Sequence, residues 1–94
     1  MRIRGIIWLD RTVEKLLEKH GLESFEVREV LRNSPWFRLV EKGHRRGENV
    51  YSAFGQTDSG RYVIVFFVYK RDGRALILSA REMSNTERKT YERR

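Results

Sequence analysis

With 94 residues, 39% of them hydrophobic and 35% charged, the chain has room for one domain with one core beneath a densely charged surface. Twenty Lys and Arg stand against 13 Asp and Glu, a formal charge of +7 that suits a polyanionic or acidic partner. The lack of cysteine excludes a disulfide scaffold, a thiolate metal site and a Cys nucleophile, and the longest apolar run, Val63 to Tyr69, is too short to span a membrane.

Arg2 to Leu9, short and rich in Ile and Trp, reads as a first strand, with too brief an apolar stretch behind Met1-Arg2-Ile3-Arg4 for a signal peptide. Asp10 is placed to cap a helix whose Val13, Leu16, Leu17 and His20 share one face, and Gly21 supplies its left-handed stop. Ser24 is placed as a second cap, ahead of Val27, Val30 and Leu31 on one face. Asn33-Ser34-Pro35 ends that helix, because the residue before proline is pushed out of the helical region. Trp36 to Glu41 reads as a strand, Lys42 to Gly47 as a basic loop, and Asn49 to Thr57 as another strand before the turn Thr57-Asp58-Ser59-Gly60. Arg61 to Tyr69 is apolar on both parities, so it belongs in the middle of a sheet. Asp72-Gly73 marks a hairpin into the last strand, Ala75 to Ala80. Ser84-Asn85-Thr86-Glu87 is a capping box for a short polar helix that runs to the C-terminus. The order β-α-α-β-β-β-β-α predicts a single α+β domain over residues 1–94, with helices on one face of a mostly antiparallel sheet.

Charge is uneven along this frame. Four cations and six anions lie between Asp10 and Glu29, which leaves +9 for the rest of the chain. Such asymmetry predicts two surfaces with different partners. One basic set is the loop Lys42-Gly43-His44-Arg45-Arg46-Gly47, where glycines allow close approach and His44 adds a titratable group beside cations able to neutralise phosphates. The bland alternative is a solvated turn. A second set comprises Arg61, Arg74, Arg81, Arg88, Lys89, Arg93 and Arg94, interleaved with Tyr51, Tyr62, Tyr69 and Tyr91. Cations with aromatic neighbours suit single-stranded RNA, whose bases stack while Arg holds phosphate. The alternative is that such tyrosines only fill the core rim. His20 and His44 stand at unrelated spacing with no carboxylate cluster, the glycines form no phosphate-cradling loop, and there is no nucleophile elbow, so neither a metal centre nor a bound cofactor is expected.

The C-terminal string Ile77-Leu78-Ser79-Ala80-Arg81, then Met83-Ser84, Glu87-Arg88-Lys89 and Tyr91, resembles the ending of BrnT-type toxins of type II toxin–antitoxin systems, which are similar in fold to RelE-type ribonucleases. Upstream, Trp8, Lys19-His20-Gly21, His44 with Glu48, Gly55 and Gly60-Arg61 resemble further motifs of that family in the same order. The chain departs from the pattern at Val50 and Leu76, where better-known members carry arginine; Arg74, on the same strand face as Leu76, is a compensating cation. The resemblance implies a metal-independent endoribonuclease toxin of the cytoplasm, in which an RNA 2′-OH attacks the adjacent phosphate. It implies Arg61 and Arg81 as stabilisers of the phosphoryl charge and His44 as acid or base, with Glu87 and Tyr91 in support. Lys42, Arg45, Arg46, Arg74 and Arg88 would hold RNA, and a cognate antitoxin would dock an acidic or amphipathic segment on the basic face. This reading requires the guanidiniums of Arg61 and Arg81 and the 42–47 loop to converge. Two rival readings are a non-catalytic RNA- or protein-binding module on the same fold, and a RelE/ParE-type scaffold aimed at a protein such as gyrase.

Overall fold

The computed structural model describes residues 1–94 as β1 (Gly5–Ile7), α1 (Asp10–His20), α2 (Ser24–Arg32), β2 (Trp36–Glu41), β3 (Val50–Gln56), β4 (Tyr62–Tyr69), β5 (Arg74–Glu82) and α3 (Asn85–Arg93). The expected element order is the observed one. The strands form one sheet in the order β1-β5-β4-β3-β2. Only β1 runs parallel to its neighbour, β5; every other pair is antiparallel. The apolar run of β4 lies at the centre, as its two-sided hydrophobicity requires.

Side chains alternate across the sheet, and each face packs against something different. Val63, Val65 and Phe67 of β4, with Ala75, Ile77 and Ala80 of β5, meet Leu16 and Leu22 and then Val27 and Val30 of α2 in the main core. Ile64 lies on the opposite face, where Phe54 and Tyr91 of α3 close a smaller cluster. Thus α1 and α2 share one face, and α3 covers one end of the other.

Local chemistry explains the boundaries. Gly21 stops α1 with φ of 60° and donates its N–H back to Leu17 O. Asp10 is the first helical residue rather than the cap, and Leu9 precedes it. Its carboxylate still suits the positive end of the helix. The start of α2 is fixed one residue before Ser24: the Glu23 N–H donates to Glu26 Oε1 at 3.0 Å. The expected box at α3 forms in both directions, with Glu87 N donating to Ser84 Oγ at 3.1 Å and Ser84 N to Glu87 Oε1 at 2.8 Å. β1 is only three residues long, shorter than the stretch Arg2 to Leu9. Its neighbour β5 extends to Glu82 and contains a register shift opposite Phe66/Phe67, where Leu78 is the extra residue.

Candidate RNA-binding and catalytic sites

The cations singled out by sequence fall into two groups at opposite ends of the central strands. The strand β4 has eight residues, so its two ends lie roughly 25 Å apart. Near its first residue sit Arg61, Arg81, Glu87, Arg88 and Tyr91. Near its last sit the 42–47 loop and Arg74. The expected convergence of Arg61, Arg81 and the loop is therefore overturned, for a topological reason: β4 and β5 run antiparallel, which sets Ile64 beside Arg81 at one end and Tyr69 beside Ala75 at the other.

At the first end every guanidinium named is engaged. Arg61 points to the α1/α2 side, where Nη1 donates to Glu26 Oε2 at 2.8 Å and to the Gly21 carbonyl at 3.2 Å, while Nε donates to Glu82 Oε1 at 3.1 Å. Burial pushes the Glu26 carboxyl up, but hydrogen bonds from the Glu23 N–H and from Arg61 outweigh it and leave the group below its ordinary range. The Glu26 hydrogen bond raises Arg61 in turn. Arg81 projects from the opposite face, beside Ile64, and makes a bidentate pair with Glu87 at 2.6 and 2.8 Å. That hydrogen bond, against the opposing effect of burial and with help from the Ser84 N–H, draws the Glu87 carboxyl down to about 2. Arg81 also lies 5.7 Å from the Phe66 ring centre, and Arg88 lies 3.8 Å from that of Tyr62. Arg88 also faces Glu92 at 3.8 Å. Tyr91, expected as a supporting group, is only 7% exposed and packs edge-on against Tyr62. These residues clasp helices to the sheet.

The other end is different. The 42–48 loop is drawn tight by three contacts: Gly43 N to Asn49 Oδ1 at 2.8 Å, Arg45 N to Glu48 Oε1 at 2.9 Å, and Glu48 N to Arg45 O at 3.2 Å. A Cβ on Gly43 would fall 2.4 Å from that of Glu48, so the close turn needs glycine there. Gly47, at φ of 82°, presses against Arg71, whose Cγ a Cβ would meet at 2.6 Å. The loop is thereby seated on the turn between β4 and β5. Arg45, Arg46, Lys70 and Arg71 are brought together around two adjoining hollows of about 530 and 300 Å³ that share Arg46, Gly47, Lys70 and Arg71. None of these four cations forms an ion pair, whereas Arg74 is tied to Asp72 at 2.8 Å. Lys42 and His44 are exposed on the same loop, and His44 has no hydrogen-bond partner in the protein. Lys70 and Arg71 were not singled out by sequence. The available signal was their place beside the Asp72-Gly73 turn, which meets the loop only after folding.

Val50 and Leu76 flank Val68 in one cross-strand row, which Ile7 extends on β1. The row lies on the sheet face away from α1 and α2; it is apolar from Val50 to Ile7 and ends on β2 at Glu41, the partner of Val50. No three His, Asp or Glu side chains gather closely enough to hold a metal ion, and no helix is long and apolar enough to cross a membrane.

A family profile described as the ribonuclease toxin BrnT of type II toxin–antitoxin systems matches residues 8–87. The fold is similar to the crystal structure of the ribonuclease toxin BrnT from Brucella abortus, with a TM-score of 0.62 at 19% identity, covering 86% of this chain and 97% of that one. No curated protein matches the sequence.

Proposed function

The chain belongs to the BrnT family of ribonuclease toxins of type II toxin–antitoxin systems, and from that premise we propose that it cleaves RNA internally without a metal ion, gripping the backbone at the loop end of its sheet. The observation that carries this reading is the gathering of Arg45, Arg46, Lys70 and Arg71 from two chain segments with no carboxylate paired to any of them. Phosphate attracts such a cluster strongly, while Arg61 and Arg81 are already neutralised by Glu26, Glu82 and Glu87.

In the proposed reaction the RNA 2′-oxygen bonds to the adjacent phosphorus as its proton leaves. The bond from phosphorus to the 5′-oxygen breaks, and that oxygen takes up a proton. The products are a 2′,3′-cyclic phosphate and a 5′-hydroxyl. Negative charge builds on the phosphoryl oxygens, where Arg46 and Arg71 stabilise it. His44, exposed on the seated loop, is the proton carrier. The convergence of Arg61, Arg81 and the 42–47 loop that the resemblance required fails, so the ribonuclease reading rests on the family match, and the charge-stabilising role passes from Arg61 and Arg81 to the free cations. The antitoxin, on this reading, is an acidic segment that covers the same four cations in the cytoplasm.

The test is cleavage of end-labelled RNA by purified protein in the presence of a chelator. Arg46→Ala combined with Arg71→Ala should reduce cleavage at least ~100-fold with an unchanged unfolding midpoint. Retained cleavage in that variant overturns the site. A second reading, an RNA-binding module without cleavage, is favoured by one observation: Val50 and Leu76 make an apolar row where the family resemblance expects arginines. Tight RNA binding with no cleavage under any condition would decide for it.

A further inference from the structure

We propose that the larger hollow at the loop end is a nucleobase pocket, which restricts the protein to single-stranded RNA. The inference rests on RNA being held at that end and names the form of RNA it takes.

The hollow, about 530 Å³, has no carboxylate in its lining. Its walls are of two kinds. Arg46, Lys70 and Arg71 form the side shared with the smaller hollow, whose further lining is Arg45 and Arg74 with the carboxylates of Glu48 and Asp72. Tyr51 and Tyr69 form the other side, their rings 6.3 Å apart and nearly perpendicular at 89°. A phosphate alone fits the charge but leaves the aromatic corner empty. A nucleotide satisfies both, with its base against the tyrosines and its phosphate on the shared cationic wall.

The corner is fixed in place. Tyr51 lies 6.0 Å from Phe67 at an interplanar angle of 25°, and the Tyr69 hydroxyl donates to the Arg2 carbonyl at 2.7 Å. By contrast, the Tyr51 hydroxyl has no partner in the protein, although the side chain lines the hollow. Asn49 accepts from Gly43 N through Oδ1, which orients the side chain and leaves its NH₂ group unengaged. The hollow therefore offers a hydroxyl and an amide donor beside the rings. Such a lining selects a base edge that presents carbonyl oxygens or ring nitrogens. A base in a duplex is stacked on both faces and engaged along its pairing edge, so it cannot enter. A splayed base of a single strand can.

The experiment uses labelled 2′-O-methyl hexanucleotides, in which the attacking hydroxyl is blocked, so that binding is read without cleavage. Fluorescence anisotropy should show at least tenfold weaker binding of an abasic hexamer, and of a duplex, than of single-stranded uridine or guanosine hexamers. Tyr51→Phe should shrink the differences between base sequences while leaving abasic binding unchanged. Arg46→Ala should weaken all probes alike and lower the salt slope by about one. Equal binding of abasic and base-bearing strands overturns the pocket. So does a duplex bound as tightly as the single strands, which would leave no part for a splayed base. Base-dependent binding by a protein that cleaves no RNA keeps the pocket and removes the ribonuclease reading; cleavage with no base dependence does the reverse.

Discussion

Arg61 holds Glu26 at 2.8 Å and Arg81 holds Glu87 at 2.6 Å, and each pair makes a measurable prediction. Glu26 is only 11% exposed at its side chain and depends on Arg61. Arg61→Ala should cost about 2–3 kcal/mol in urea unfolding, because it leaves a buried carboxylate without its cation. Pairing Arg61→Met with Glu26→Gln should recover most of that loss. Glu87 provides the pH test. Its carboxyl is held at about 2 in the folded protein, against an unfolded value of about 4.5. The unfolded chain therefore binds the proton first as pH falls. The clasp contributes fully above about pH 4.5 and is lost as the pH drops through about 2. Glu87→Gln should lower stability by about 1–2 kcal/mol at pH 7, with solvent around Arg81 limiting the effect. The gap between the two proteins should close on the way to pH 2.

At the scale of elements, the 42–48 loop is where conformation and binding meet. Gly47→Ala places a methyl 3.0 Å from the Arg71 backbone nitrogen and forces a left-handed φ on an ordinary residue. The loop should lift from the β4–β5 turn, and RNA affinity should fall about tenfold by the charge it removes, while the urea midpoint barely moves because the loop carries no core residue. Gly55→Ala makes the contrast. Its methyl would lie 3.2 Å from Val30 Cγ1 and 3.3 Å from Pro35 Cβ, so it should loosen α2 from β3 and lower the melting temperature. The elements themselves were legible because each rests on local chemistry: the 3.6-residue spacing of Val27, Val30 and Leu31, the Gly21 stop, the Asp72-Gly73 turn and the Ser84–Glu87 box. The early end of β1 and the bulge at Leu78 were not, since both depend on which neighbour a strand acquires.

At the scale of the whole molecule, the candidate site was only half legible. Counting cations located the 42–47 loop, because glycines and charge are local signals. Counting could not tell a free arginine from a paired one. Arg61 finds Glu26 across 35 residues, and Arg46 finds Lys70 and Arg71 only when two turns meet. The excess charge makes a prediction here too. Binding of RNA through four unpaired cations should weaken by about two orders of magnitude between ~50 and ~200 mM salt, whatever the sequence bound. The Arg61→Met/Glu26→Gln protein should keep the wild-type slope, since that pair carries no free charge.

Both borders of the sheet are trimmed. On one side lie only three residues, Gly5–Ile7; on the other, β2 breaks register between Leu39 and Glu41 and bears Arg38 and Glu41. Borders so short or so kinked make poor templates for strand addition. Self-templated stacking into fibres therefore has little ladder to extend at either border.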